Sequence, residues 1–253
     1  MSEPAANGHI QRPPYAKDEQ NGLCFLAISE LRPTQMTIGY SVVRRKREKW
    51  RGEADKTESL KRRPVPVVLG PGRQWWIIDR HHLVRALHEE GISSVPTDVV
   101  EDLSGLRISA FASVMEAQSW LHPFDGSGRR SSLAGMPVHV RDLTDDPFRS
   151  LASEMRRRGG YLKDPTPHSE FKWADFLRTR FDAAELAVQF DSVMSEALRL
   201  ARGPAAEHLP GWRGQEEYPY GPKRAFARAG NQTVRRTRSF SRDTELPAAA
   251  AAR

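Results

Sequence analysis

The amino-acid sequence predicts an α/β (α+β) fold, a small mixed sheet with packed helices followed by a helical C-terminal portion. Three stretches carry that expectation. Val65-Pro66-Val67-Val68-Leu69, the breaker Gly70-Pro71-Gly72 and Gln74-Trp75-Trp76-Ile77-Ile78 are two apolar runs around a turn, the pattern of a β-hairpin. After Ile78 the period changes, and Leu83, Val84 and Leu87 line one face of a helix. From Leu106 onward the apolar spacing is mainly helical.

Taken in order, residues 1–20 are polar, contain Pro13-Pro14 and lack periodicity, so a disordered leader is expected. Leu23 to Ile28 is a short buried strand. Val42, Val43, Lys46 and Trp50 fall near helical spacing, and the charged stretch through Arg63 continues that helix or forms a mobile arm. Pro66 places its strand near an edge or makes it irregular. A helix over residues 80–90 follows, with Asp79 as N-cap and Gly91 as the C′ residue, and Val95 to Val100 is the next strand. Ile108, Phe111 and Met115 mark a further helix. Asp146 and Pro147 open another that Gly159 closes; Phe171 to Phe181 mark a third, and Leu186 to Ala197 a fourth. Past Ala201 the period stops. The expected organisation is therefore a leader (1–20), an α/β core (21–105), a helical extension of the same domain (106–200) and a disordered basic tail (201–253).

Composition removes several classes. No apolar run approaches the roughly 20 residues that cross a bilayer, and no basic-then-apolar leader is visible, so a cytoplasmic protein is expected. The single cysteine, Cys24, sits in an apolar run and supports neither an internal disulfide nor a thiolate metal site. The net charge of +7 suggests nucleic acid, but it is unevenly placed: residues 44–63 carry +6 and residues 201–253 carry +5, which leaves the remainder at −4. A basic arm and tail, not a basic domain, are the candidate DNA contacts.

Chemistry concentrates at Asp79-Arg80-His81-His82. The unpaired N–H groups of a helix start carry partial positive charge, so cationic side chains there are unfavourable unless an anion is close. Arg80, His81 and His82 all occupy that turn, which suits phosphate oxygens, and either imidazole is a candidate to move a proton. The competing reading makes Asp79 a simple cap and the histidines solvent-facing. Adjacent histidines point about 100° apart on a helix and are poor joint metal ligands. His122, Asp125 and His139 show no metal-like spacing. Lys46, in the run Arg44-Arg45-Lys46-Arg47, reads as a solvated helix face or as a phosphate contact. Arg149 and Ser150, inside the Asp146-capped helix, form a candidate second anion contact. Glu170, Trp173 and Asp175 share a helix, where Trp173 reads as core and the carboxylates are candidates either to bind Mg²⁺ or to pair with Arg178, at i+3 from Asp175, the second being the safer reading.

Ile78-Asp79-Arg80-His81-His82-Leu83-Val84-Arg85-Ala86-Leu87 resembles the signature box of the ParB/sulfiredoxin superfamily, where a strand ends in a short polar motif and the following helix begins with an Arg or His on nucleotide phosphates. The sequence is most similar to the ParB-like nuclease branch. Leu31-Arg32-Pro33-Thr34-Gln35 with Ile38-Gly39 resembles its early loop, Pro147-Phe148-Arg149-Ser150-Leu151-Ala152 its middle helix, and Gly159 to Lys163 with Glu170 to Asp175 its later section. The resemblance implies phosphate contacts from Arg80, His82, Gln35, Lys46, Arg149 and Ser150, with Asp79, His81 and His82 as the catalytic candidates. Sulfiredoxin chemistry needs a cysteine in the box, which is absent. Chromosome-partitioning relatives carry Gly-Glu-Arg-Arg and a helix-turn-helix, neither of which is found. Free-serine kinases resemble the box more, with Asp-Gly-His-His-Arg, yet use a carboxylate base where Gln35 stands.

The expected function is binding of a nucleotide or phosphate ester at Asp79–His82 for phosphoryl transfer or phosphodiester hydrolysis, with Mg²⁺ carried in by the nucleotide. Two alternatives stand beside it. One is a non-enzymatic DNA-binding or partitioning protein using residues 44–63 and the tail; the other is a free amino-acid kinase-like activity.

Overall fold

The two apolar runs around Gly70-Pro71-Gly72 form the centre of the protein. In the structure, a computed structural model that describes residues 23–214, they are β4 (Val65–Gly70) and β5 (Gln74–Ile77), paired antiparallel from Val67↔Ile77 to Gly70↔Gln74. Around them lie β1 (Cys24–Ala27), β2 (Leu31–Pro33) and β6 (Ser94–Asp102), giving the sheet order β1-β6-β4-β5-β2. β2 runs parallel to β5 and β6 parallel to β4, while β1 closes the far edge antiparallel to β6.

These runs are continuously apolar because both faces of the sheet are covered. Val65, Val67, Leu69, Trp75 and Ile77 face α1 (Tyr40–Arg51) and α3 (His81–Glu89), where Val43, Trp50, Val84 and Leu87 meet them. Val68 and Trp76 point the other way, onto Phe111 and Met115 of α4 (Ile108–Ala117). At Gly70 a Cβ would lie 2.7 Å from Trp76 Nε1, so the turn residue is also a packing requirement.

A second pair of strands, β3 (Thr37–Ile38) and β7 (Thr144–Asp145), runs parallel and ties the early loop to the helical part. There α5 (Pro147–Arg157), α6 (Ser169–Arg178) and α8 (Phe190–Arg202) share a core built on Leu151, Met155, Trp173, Leu177, Met194 and Ala197. Asp146 caps α5 by accepting the Phe148 N–H at 3.0 Å, with Pro147 in the first turn, and Gly159 has φ 81° after its end. No helix of the described residues is long and apolar enough to cross a membrane.

Several expectations change. The strand holding Pro66 is central, not an edge; the irregular alternative holds, because its register with β6 shifts between Val67 and Val68. The charged stretch before it is neither a continuation of α1 nor an arm throughout: a separate helix, α2 (Lys56–Lys61), starts where Asp55 accepts the Glu58 N–H at 2.9 Å. The fourth C-terminal helix is two, α7 (Ala183–Val188) and α8, broken at Gln189 with ψ 44°. Residues 201–214, expected as the start of the tail, belong to the helical part. Ala206, Leu209 and Trp212 pack into the helical core, the Trp173 indole donates to the Pro210 carbonyl at 2.8 Å, and the Leu162 N–H donates to the Gly211 carbonyl at 2.8 Å. Short apolar contacts after a helix carry no period, which is why they do not register as an element. The expected leader and the remainder of the tail lie outside the described residues.

A chain ending at Arg202 is therefore expected to be about 3 kcal/mol less stable in denaturant unfolding than one ending at Gly214, because it loses the Leu209 and Trp212 burial and leaves the Trp173 N–H without its acceptor.

Candidate functional site

At the C-terminal end of β5 the chain must turn directly into α3, and it does so through one strained residue. Arg80 has φ 66° and ψ 22°, the left-handed region, and is the N-cap of α3 without a side-chain cap bond. Asp79 is thus not the cap expected from sequence. It stands one residue earlier, and its Oδ1 accepts the Arg80 N–H at 2.6 Å, closing the turn locally. Leu83 and Val84 N–H donate to the Arg80 carbonyl, so the His81 and His82 N–H groups precede the first N–H that donates within the helix.

Both imidazoles hold the early loop. His81 is buried, and its Nε2 accepts the Thr34 N–H at 3.1 Å; His82 Nε2 accepts the Gly39 N–H at 3.0 Å. An amide N–H only donates, so each Nε2 carries the lone pair and each ring proton sits on Nδ1. Burial, reinforced by the nearby Arg149 charge, pushes His81 down to about 3 against the opposing pull of the Ile77 carbonyl. The same two causes hold His82 well below the ordinary histidine value.

Arg149 grips the same loop from α5. Its Nη1 donates to the Thr37 carbonyl at 2.7 Å, beside the Gln35 amide, whose Nε2 donates to that carbonyl at 2.9 Å. Ser150 is engaged at the start of α1, where its Oγ accepts the Ser41 N–H at 3.2 Å, and it does not line the cleft. Gly39 permits this approach, since a Cβ there would lie 2.8 Å from Ser150 N.

Below the α3 start opens a cleft of about 940 Å³. The early loop supplies Thr34 and Gln35; α1 supplies Arg45, Lys46 and Lys49; the α3 start supplies Asp79 to His82, and α5 supplies Arg149 and Arg156. The opposite wall is Trp120, His122 and residues 163–171. Of the cations, Arg45 meets Glu154 at 3.8 Å and Arg156 meets Glu170 at 2.5 Å. Lys46, Lys49, Arg63, Arg80, Arg149 and Lys163 have no carboxylate partner among the described residues. Burial and the neighbouring Arg63 and Arg45 charges lower the Lys46 ammonium below the usual lysine value. Desolvation lowers Arg149 to about 10, still charged at neutral pH.

Sequence reasoning thus found Asp79 to His82, Gln35, Lys46 and Arg149, and the fold brings all of these to one cleft. It missed Lys163, Arg63 and His168. His168 carried a usable signal, a histidine in the N-cap position of α6 after Pro165-Thr166-Pro167, where Ser, Thr, Asp or Asn is usual. The Asp175–Arg178 pair and buried Trp173 are as expected, and Arg178 also reaches the buried Asp146 at 2.5 Å. Among the described residues no group of three or more His, Cys, Asp or Glu could hold a metal ion.

Two outcomes follow from this geometry. Arg80→Gly removes left-handed strain, so the protein is expected to keep its stability or gain about 1 kcal/mol in denaturant unfolding. Between the ordinary histidine value of 6.5 and about 3, unfolded His81 holds a proton that the folded ring rejects. Its stabilisation is complete above 6.5 and is lost as pH falls toward 3. Unfolding free energies measured from pH 7 to 4.5 should therefore fall less steeply in His81→Gln than in wild type, by about 1.4 kcal/mol per pH unit at the acid end.

Residues 24–179 match the family described as "Putative ParB-like nuclease". Among solved structures, the protein Atu1540 from Agrobacterium tumefaciens is 45% identical with a TM-score of 0.71, over 76% of this chain and 98% of that one. The C-terminally truncated chromosome-partitioning protein ParB from Caulobacter crescentus, complexed with CTP-gamma-S, is 14% identical with a TM-score of 0.28, over 73% of this chain and 94% of that one, a likeness too slight to argue from. No curated protein matches. With well over half of its length matched by one family and that degree of identity to the Agrobacterium structure, the chain belongs to the ParB-like nuclease family of the ParB/sulfiredoxin superfamily.

Proposed function

We propose that the cleft binds a nucleotide or other phosphate ester at the start of α3 and serves phosphoryl transfer or phosphodiester hydrolysis. One observation supports this most. Six cations without carboxylate partners share a cleft with the open N-terminus of a helix, while Asp79 and Asp164 are the carboxylates there outside an ion pair. Such a surplus of positive charge is costly in the empty cleft and is relieved by a phosphate-bearing ligand.

In this reading the phosphate oxygens take the His81 and His82 N–H groups, the Arg80 guanidinium and the Lys46 ammonium, with His82 Nδ1–H as a further donor. Neither imidazole shuttles the proton, because each holds a loop N–H on Nε2 and burial keeps each ring neutral. Asp79, an exposed carboxylate beside the helix start, is the group that accepts a proton from the attacking hydroxyl or water. The same carboxylate fits a Mg²⁺ ion arriving on phosphates, since that ion needs only one or two protein oxygens and Glu170 is engaged by Arg156. Bound there, the ion would neutralise charge on the phosphate oxygens.

The DNA-binding alternative draws less support from the arm. Arg47 and Arg51 pair with Glu89 and Glu90 at 2.6 to 2.8 Å, so part of the charge counted in residues 44–63 is compensated within the fold. The amino-acid kinase-like alternative meets an obstacle at Gln35, an amide tied to the Thr37 carbonyl in place of a base.

Thermal unfolding with ATP, ADP, CTP or GTP, with and without Mg²⁺, tests the proposal. At least one nucleotide should stabilise wild type, by about 2.7 kcal/mol at 100 times its Kd, and the gain should shrink in Lys46→Ala and in Arg80→Gly. Stabilisation by none, or equal stabilisation of all three proteins, would overturn it.

A further inference from the structure

Two kinds of surface meet in the cleft. One is cationic and comes from α1, the α3 start and α5; the other is aromatic and centres on Trp120. At about 940 Å³ the cleft is far larger than a phosphate group and matches pockets that enclose a whole organic ligand. Most of its space therefore belongs to the organic part of an ester.

Apart from histidines, its aromatic lining among the described residues is Phe171 and Trp120. Phe171 is already covered. His122 lies 3.6 Å and the Arg149 guanidinium 3.7 Å from its ring centroid, and two planar groups that close must take opposite faces. Trp120 is half-buried, and among the described residues its indole takes part in no ring stack, cation contact or side-chain hydrogen bond.

The backbone that carries this indole is fixed on both sides. α4 ends where Ser119 turns left-handed at φ 57°: the Ser119 N–H donates to the Glu116 carbonyl at 2.9 Å and the Trp120 N–H to the Met115 carbonyl at 2.8 Å. Two residues on, the His122 N–H donates to the Thr34 carbonyl of the early loop at 2.8 Å. Between these anchors Trp120 packs against the cluster of Val68, Trp76, Phe111 and Met115, which Ile78 also borders. Ile78 lines the cleft too and immediately precedes Asp79, so Trp120 shares its support with the residue that leads into the α3 turn. A ring held this firmly loses little freedom when a second ring stacks on it.

We propose that Trp120 is the stacking platform for a nucleobase, so that the ligand of this cleft is a nucleotide and not an aliphatic phosphate ester. This rests on the phosphate-binding reading of the α3 start and names the ligand class of that same site. The cations and the helix start hold the phosphates, and the base lies on the indole. Every nucleobase offers a π face, so the platform separates base from no base more than one base from another.

Calorimetric titration of the full chain at pH 7 with ATP, GTP, CTP and UTP, against inorganic tripolyphosphate, tests this. Tripolyphosphate keeps the phosphate chain and lacks the base. At least one nucleotide should bind about tenfold tighter than tripolyphosphate, or more, and should quench tryptophan fluorescence. Trp120→Leu keeps an apolar side chain against Phe111 and Met115. It should lose the gain while its tripolyphosphate affinity stays that of wild type. Trp120→Phe retains a ring, so it should keep part of the gain and lose the quench.

Nucleotides that bind no tighter than tripolyphosphate, a gain undiminished in Trp120→Leu, or a quench that persists in Trp120→Phe would overturn the platform and leave the phosphate reading of the α3 start intact. Binding of none of the five ligands overturns both.

Discussion

The early loop between β2 and α1 is held by side chains that carry no net charge to the task except one. His81 and His82 accept its Thr34 and Gly39 N–H groups, and Arg149 donates to its Thr37 carbonyl. Everything at the cleft depends on that three-point clamp, because it joins α3, which leaves the sheet, to α5, which begins the helical part. If the imidazoles were protonated they could not accept those N–H groups. Burial, which makes protonation costly, is thus what keeps the loop in place.

The same burial separates holding from reacting. A histidine pair at a helix start invites a proton-transfer role, yet here both Nε2 atoms are committed to backbone. What the clamp leaves available is cationic: Lys46, Arg80 and Lys163 line the cleft outside it. In the proposed function the site therefore grips oxyanions through its cations, and Asp79 is left as the acidic group at the α3 start.

Strain marks the same place. Arg80, Ser119 and His168, three of the four non-glycine residues with positive φ among the described residues, line the cleft. Glycine is the residue that adopts such a backbone without cost, and arginine stands at the α3 cap instead.

The sequence by itself determined the hairpin at residues 65–78, the helix after it, the Asp146-capped helix and the family, because each is written in local hydrophobic spacing, turn residues or caps. It also marked Arg80 to His82 and Arg149 as candidates, through cationic groups placed where a helix start disfavours them. Only the tertiary structure decided that Arg80, not Asp79, caps α3, and that the two histidines brace a loop more than 40 residues away in the chain. It alone brought His168 into the lining of the cleft. Hydrogen bonds across such separations leave no periodic trace, and whether a titratable side chain is an acid, a base or a strut is set by burial and partners, which exist only once the chain has folded.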